Sequence, residues 1–284
     1  MPITLEPLKP LLIVDGDSLA HRAYHALPKT MTTAMGRPSG ALVGFANLLL
    51  RLWQAESPRA VLVGWDTLGT PTYRHEALPG YQAGRQFDDA LVEQLDLLPQ
   101  LVGAMGFAVA KAPGYEADDF LAAAVASEEA RDGLAVVVTS DRDSFQLVSE
   151  RTSVLQPVKG VSELARIDPA AVRERYGVDP LQVPDFIALR GDSSDRIPGA
   201  PGVGPKTAAS VLREYGTLEA ALAAGRFGAQ REELLLYRRI ATLDASAPLP
   251  SLADQTPRWA EASSLCDAWG LGALAGRLQT LAAG

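Results

Sequence analysis

The stretch LLIVDGDS, residues 11–18, decides the fold, because four apolar residues run directly into two acids. Continuous apolar runs of this length are typical of strands that are buried on both faces of a parallel sheet. Such a strand places Asp15 at its carboxyl end, the edge at which open α/β sheets bind their ligands. From this stretch alone, Asp15 is compatible with three roles: a phosphatase nucleophile, a metal ligand, or a polar residue that ends the strand.

Two more apolar runs end in an acid in the same way, residues 61–65 before Asp66 and residues 135–140 before Asp141. Apolar residues between the runs recur at three- and four-residue steps, as in amphipathic helices. This alternation predicts a doubly wound α/β domain with a mostly parallel sheet over residues 1–165. Residues 166–284 show short helical patterns separated by Gly and Pro, which predict a helical subdomain with helices at 169–176, 180–190, 206–215, 218–223, 231–241 and 260–282.

The composition is that of an ordinary globular protein, with 47% hydrophobic residues among 284. The single cysteine, Cys266, fits a reducing compartment. The sequence has neither a membrane-spanning run nor a signal peptide, so no membrane association and a cytoplasmic location are expected. A net charge of −8 disfavours a nucleic-acid partner only if the acids are spread evenly. Nine acids gathered around metal ions would leave 25 of the 34 acids against 26 Lys and Arg.

Further acids stand where they are expected to face the same sheet edge. They are Asp143, the helix-start acids Glu116, Asp118 and Asp119, and the turn acids Asp192 and Asp195. Taken singly, each has an ordinary explanation as a helix cap or as a charge that complements a helix dipole. Together they would repel one another unless cations neutralised them, and ligand sets made of oxygen alone select Mg²⁺ or Mn²⁺. Two such ions imply phosphodiester hydrolysis.

A glycine-rich turn precedes the predicted helix at 206–215. Gly202 and Gly204 allow the backbone to turn sharply and to present N–H groups, and Pro205 suits the first position of a helix. With Lys206, these amides predict a site for backbone phosphate that does not read sequence. An ordinary tight turn between two helices is the simpler alternative.

Taken in order, these motifs resemble those of the 5′ nucleases of the flap endonuclease family, including the 5′–3′ exonuclease domain of bacterial DNA polymerase I. The stretches that carry the resemblance are Val14-Asp15-Gly16, Arg74-His75-Glu76, Gly114 to Asp119, Thr139 to Asp143, Gly191 to Asp195, and Ile197 to Ala208. The last of them matches the helix-three-turn-helix DNA clamp of that family. The resemblance implies a PIN-like α/β nuclease fold followed by the clamp.

The resemblance also implies the site residues. The metal ligands for two Mg²⁺ or Mn²⁺ ions would be Asp15, Asp66, Glu116, Asp118, Asp119, Asp141, Asp143, Asp192 and Asp195, with Asp17 outside the site. A K⁺ ion would sit in the loop from Gly202 to Gly204. DNA contacts would come from Arg22, Arg74, Tyr81, Gln82, Arg85, Gly202, Gly204, Lys206 and Thr207, and Arg85 would also act in catalysis.

The function implied is that of a structure-specific 5′–3′ exonuclease or flap endonuclease, a monomer that acts on 5′ flaps, duplex ends and branched junctions. The chain ends at Gly284, so a free-standing nuclease is expected.

Two positions depart from the pattern of this family. Gln82 stands where a lysine is usual, a lysine thought to help bring the scissile phosphate onto the metals, and Arg196 stands where Asn is common. The missing lysine leaves a second function open, a DNA-junction-binding protein with weakened cleavage. An aspartate-dependent phosphatase ranks lower, because it leaves the acids at 116–119 and 141–143 without a role.

Overall fold

The computed structural model describes residues 8–84, 87–159 and 163–283. Its centre is a six-stranded sheet with the strand order β3-β2-β1-β4-β5-β6. All neighbouring strands are parallel except β6, which is antiparallel to β5. The order runs outward from β1 in both directions, which confirms the predicted doubly wound sheet. The strands are β1 Leu11–Asp15, β2 Ala60–Gly64, β3 Ala108–Ala110, β4 Ala135–Val138, β5 Thr152–Lys159 and β6 Glu163–Ile167.

Helices cover both faces of the sheet and continue beyond it. Those within the described residues are α1 Gly16–Ala26, α2 Gly40–Glu56, α3 Tyr73–Ala77, α4 Asp89–Ala104, α5 Ala117–Glu129, α6 Pro169–Tyr176, α7 Val183–Arg190, α8 Pro205–Tyr215, α9 Leu218–Ala223, α10 Arg231–Ala241, α11 Trp259–Ala268 and α12 Gly272–Ala283. None of these helices has both the length and the apolar character needed to cross a bilayer.

The side chains of β1 alternate between two cores, which is why its apolar run is continuous. Leu12 and Val14 join a cluster formed with α1, α2 and α4. Leu11 and Ile13 join a cluster on the opposite face, around α5. A third cluster holds α7, α8 and α9 together.

The second half of the chain divides differently from the expectation. Helices α6, α9 and α10 have the predicted bounds, but the predicted helix 260–282 breaks at Gly270 into α11 and α12. Both of these pack back on the first core, through residues such as Trp259 and Leu278. The expected boundary at residue 165 lies inside β6, the strand that completes the sheet.

Candidate functional site

The carboxyl ends of β1, β2 and β4 meet at one edge of the sheet, as parallel pairing requires. Asp15 ends β1, Asp66 follows β2 closely, and Asp141 follows β4. These three acids line one cavity of about 850 Å³, together with acids from α1, from α5 and its N-cap, from the turn after β4, and from the segment after α7. Among the described residues, the acids that line it are Asp15, Asp17, Asp66, Glu116, Asp118, Asp141, Asp143 and Asp192.

Asp15 is held on both carboxylate oxygens. One oxygen accepts the backbone N–H of Ser18 at 2.9 Å, which caps α1, and the other accepts the Thr139 hydroxyl at 2.7 Å. Burial raises the pKa of Asp15 to about 7, and the neighbouring carboxylates of Asp66 and Asp141 act in the same direction. At neutral pH this carboxyl group is therefore ready to bind a proton or a cation.

The end of β2 is joined to the start of α5. Asp66 accepts the backbone N–H of Ala117 at 2.7 Å, and Glu116 is the N-cap residue of α5. Burial raises the pKa of Asp118 well above its ordinary value, and repulsion from Asp141 and Asp15 adds to the effect. The pKa of Glu116 rises to about 7, again mainly through burial.

Asp141 and Asp143 are fixed by a turn that follows β4. The Thr139 hydroxyl accepts the N–H of Asp141 at 3.0 Å, and a carboxylate oxygen of Asp141 accepts the N–H of Asp143 at 2.9 Å. Asp143 begins the short 3₁₀ helix Asp143–Leu147. Its pKa is raised well above the usual range by burial and then by the charges of Asp141 and Asp195.

A tight hairpin brings the last two predicted ligands to this edge. The backbones of Asp192 and Ile197 exchange hydrogen bonds of 2.8 and 2.7 Å. The flanking glycines make the turn possible: a Cβ on Gly199 would lie 2.4 Å from the nitrogen of Gly191. Both have positive φ, 81° at Gly191 and 74° at Gly199. The hairpin points Asp192 into the cavity and leaves Asp195 buried beside it.

Asp192 is bound by Arg190 and by Ser194. Arg190 donates to its carboxylate at 2.9 Å, and Ser194 donates through both its hydroxyl and its backbone N–H. Burial acts to raise the pKa of Asp192, but these hydrogen bonds and the Arg190 charge lower it overall.

The acids form two neighbouring groups that share one member. The carboxylates that repel Asp118 are those of Asp141, Asp15, Asp66 and Glu116. Those that repel Asp143 are Asp141, Asp195 and Asp192. Within the residues that the structure describes, no three acid, imidazole or thiol groups converge closely enough to enclose an ion by themselves. Buried carboxylates with raised pKa values and room for water still fit Mg²⁺, which keeps several of its water ligands when protein binds it.

Two residues lie elsewhere than the resemblance implies. Asp119, expected as a ligand, is 0% exposed and does not line the cavity, because both of its oxygens bind the guanidinium of Arg74. Arg74, expected along the path of a displaced strand, is 1% exposed for the same reason. An acid in the first turn of a helix can point into the cavity or into the protein interior, and the sequence pattern does not distinguish these two orientations.

Of the predicted DNA contacts Arg22, Tyr81, Gln82 and Arg85, only Gln82 is described as lining the cavity. The Tyr81 hydroxyl donates to Glu116 at 2.9 Å, and Gln82 lines the cavity. Arg22 donates to the carbonyl of Pro157 at 3.0 Å. Arg85 lies outside the described residues.

The predicted phosphate grip lies beside the acids. Gly202, Gly204, Lys206 and Thr207 are exposed around the start of α8. Pro205, the first residue of α8, lines the acidic cavity. A strand held by its phosphates at this helix start would therefore be close to the carboxylates.

The sequence pattern did not place Asp17, Arg142 and Arg190 in the site. Asp17, expected outside the site, lines the cavity and accepts the backbone N–H of Asp66 at 2.7 Å. Arg142 and Arg190 also line it and supply positive charge among the acids. Their positions, directly between Asp141 and Asp143 and two residues before Asp192, were the available signal.

Comparison with known proteins gives matches over most of the chain. Residues 10–177 match the sequence profile of the 5′–3′ exonuclease N-terminal resolvase-like domain, and residues 178–262 match that of the 5′–3′ exonuclease C-terminal SAM fold. DNA polymerase I of Mycobacterium bovis is 45% identical over 210 residues, 73% of this chain and 23% of the polymerase. Thermostable DNA polymerase I of Thermus aquaticus is 44% identical over 219 residues, 76% of this chain and 25% of the polymerase.

The chain thus spans about a quarter of the length of these polymerases. Among solved structures, bacteriophage T5 flap endonuclease in a pseudo-enzyme-product complex with DNA and metal ions shares the fold, with a TM-score of 0.70 and 20% identity. That match covers 97% of this chain and 100% of the phage chain. Because the two family profiles follow each other along residues 10–262 and the acids of both parts meet in one cavity, the chain belongs to the 5′–3′ exonuclease family.

Proposed function

We propose that this protein is a structure-specific 5′ nuclease that hydrolyses DNA phosphodiester bonds at 5′ flaps, duplex 5′ ends and branched junctions with two divalent cations, Mg²⁺ or Mn²⁺. The observation that carries the proposal is the single cavity in which eight acids stand beside the start of α8. Acids alone would repel DNA, and a phosphate grip alone would bind without cutting. Their proximity supports binding and hydrolysis at the same place.

We assign one of the two groups of carboxylates to each cation. Asp15, Asp66, Glu116 and Asp118 would hold one, Asp143, Asp192 and Asp195 the other, and Asp141 would serve both. Bound cations supply a hydroxide nucleophile and neutralise the charge on the leaving oxygen. The protein itself keeps the acids rigid through Thr139, Ser18 and the hairpin that carries Asp192. Arg142 and Arg190 place positive charge where the phosphate would enter.

The start of α8 would bind the phosphates of the duplex. Lys206 and Thr207 are exposed there, and a contact from either of them to a phosphate requires no particular base. A K⁺ ion at the loop from Gly202 to Gly204 would add a cation to the same grip. Action as a monomer is part of the proposal. The buried thiol of Cys266 and a DNA substrate fit the cytoplasm as the location.

The proposal is tested by a time course on a 5′-flap duplex with Mg²⁺, with Mn²⁺ and with EDTA. Metal-dependent release of the flap is expected, together with short products from a blunt duplex. p-Nitrophenyl phosphate serves as the control substrate, and no hydrolysis of it is expected. Phosphate release from this monoester with no cleavage of the flap would support the phosphatase interpretation instead.

One observation keeps a junction-binding function as the second candidate. Gln82 lines the cavity as a neutral amide where the family usually has a lysine, so one positive charge is missing from the wall. Tight binding of the flap duplex without metal-dependent cleavage, even at high protein concentration, would favour this candidate.

A further inference from the structure

Arg74 connects three parts of the chain from a buried position. Its guanidinium binds both oxygens of Asp119, at 2.9 and 2.6 Å, and lies 3.4 Å from a carboxylate oxygen of Glu116. It also donates to the carbonyl of Ile240 at 3.0 Å and to that of Thr242 at 3.4 Å. Arg74 thereby ties α3 to the start of α5 and to the end of α10.

Asp119 is committed to the same network. One of its oxygens accepts the backbone N–H of Glu116 at 3.0 Å, and the other accepts the backbone N–H of Asp244 at 2.8 Å. Each oxygen thus has a guanidinium donor and an amide donor, which is about the number of hydrogen bonds that a buried carboxylate oxygen accepts. A divalent cation could reach Asp119 only by breaking this pair.

Glu116 is gripped by one short segment of the chain. The Thr72 hydroxyl donates to one of its oxygens at 3.0 Å, and the Tyr81 hydroxyl and Arg74 approach the other at 2.9 and 3.4 Å. Glu116 still lines the cavity. Its backbone is fixed by Asp119 and its side chain by residues 72–81, so the carboxylate has little freedom to turn away.

We propose that Arg74 is a positioning residue that holds Glu116 at the cavity wall, and that Asp119 is its counter-ion and not a metal ligand. The inference rests on the proposed function, because it assigns cation binding to the acidic cavity. Residues that orient a metal ligand from behind alter metal affinity about 10- to 100-fold when they are replaced. They do so without contacting the substrate, so DNA affinity is a separate measurement.

The test measures Mn²⁺ binding to the DNA-free protein, by the electron paramagnetic resonance signal of free Mn²⁺, alongside single-turnover cleavage and DNA binding. The variant combines Arg74→Met with Asp119→Asn, because removing one partner alone would leave a buried charge unpaired. The matched control combines Arg59→Met with Glu128→Gln. That pair is also bidentate, with Glu128 buried and Arg59 partly buried, and Glu128 lies at the opposite end of α5.

The variant is expected to bind Mn²⁺ about 10- to 100-fold more weakly and to cleave more slowly, with DNA affinity within about twofold of the parent. The control is expected to change the melting temperature alone. In a Glu116→Gln background, the same paired substitution should weaken Mn²⁺ binding no further, because the group that it positions is already gone.

Three results would overturn the inference. The first is a folded variant with the Mn²⁺ affinity of the parent, and the second is an equal loss of affinity in the control. The third is a further loss of affinity in the Glu116→Gln background, because that loss would show that Asp119 itself binds the cation. A parent that binds no Mn²⁺ would overturn the proposed function as well. If the paired variant does not fold, Arg74→Lys takes its place in the test, because lysine keeps the charge but cannot bind both Asp119 oxygens. A folded lysine variant with the Mn²⁺ affinity of the parent would also refute the proposal.

Discussion

The side-chain amide of Gln82 donates to a carboxylate oxygen of Asp195 at 3.1 Å and to the Tyr81 hydroxyl at 2.8 Å. The residue that replaces the usual lysine is thus attached to a proposed metal ligand at the cavity wall. A cation at this position would face the same acids and any phosphate bound among them.

Gln82→Lys is expected to raise the single-turnover rate on a 5′ flap by several-fold with little change in binding. A preorganised cation in an active site is worth roughly 3 kcal/mol, about a hundredfold in rate. Arg142 and Arg190 already supply part of that charge, which is why the expected gain is smaller. Gln82→Met is the control, since it removes the hydrogen bonds without adding charge, and it should not accelerate cleavage. An unchanged rate for the lysine variant would mean that the two arginines compensate fully.

Asp141→Asn is expected to abolish cleavage while DNA binding stays equal to that of the parent or becomes tighter. Asp141 repels both Asp118 and Asp143, so the substitution removes a negative charge shared by both groups of acids. Rates of flap cleavage and binding isotherms in EDTA check this directly. Near-parental cleavage by the variant would refute the assignment of Asp141 as a metal ligand.

Lys206→Ala is expected to weaken binding to every duplex alike and to lower the slope of log affinity against log salt by about one unit. Lys206 is exposed in the first turn of α8. We expect it to contact the DNA backbone phosphates and no base. Lys9→Ala is the matched control, because Lys9 is exposed just before β1, at the opposite edge of the sheet. A loss confined to particular sequences would contradict a backbone contact.

The metal-free protein is expected to become less stable as the pH rises from 5 to 8. The folded-state pKa values of Asp15 and Glu116 are raised to about 7 from ordinary values of 3.8 and 4.5. Between those limits the folded state binds protons that the unfolded state has released, so stability falls with rising pH until both states are ionised. Melting temperatures in EDTA should therefore fall through pH 7, and Mg²⁺ at pH 8 should restore much of the loss. Melting temperatures that rise with pH in EDTA would contradict the raised pKa values of Asp15 and Glu116.

The sequence predicted the part of the site that depends on local pattern. Asp15, Asp66 and Asp141 each follow an apolar strand, and parallel pairing brings such strand ends together without further information. The pairing of Arg74 with Asp119 depends on tertiary packing between α3 and α5, and nothing in the local pattern of either residue indicates it.

Strands β3, β5 and β6 were not predicted, and each lacks the long apolar run of a central strand or has a residue that weakens the strand signal. β3 has three residues, and β6 is an edge strand with mostly half-buried or exposed side chains, so neither produces the long apolar run of a central strand. β5 contains Pro157, and a proline inside a run weakens the prediction of a strand. The pairing of β5 with β6 shifts register between Pro157 and Lys159, an irregularity of the kind at which a strand tolerates proline.

The hairpin closed by Gly191 and Gly199 also sets when activity can arise during synthesis. Its acids, Asp192 and Asp195, come after all the other acids of the cavity, the last of which is Asp143, so a ribosome makes the strands and their carboxylates first. Domains tend to fold in the order in which they emerge, and a nascent chain that stops before this turn has only one of the two groups of acids complete. The protein would gain its complete set of cavity acids only once residues near 200 have left the exit tunnel, so a fragment that ends earlier is expected not to cleave DNA.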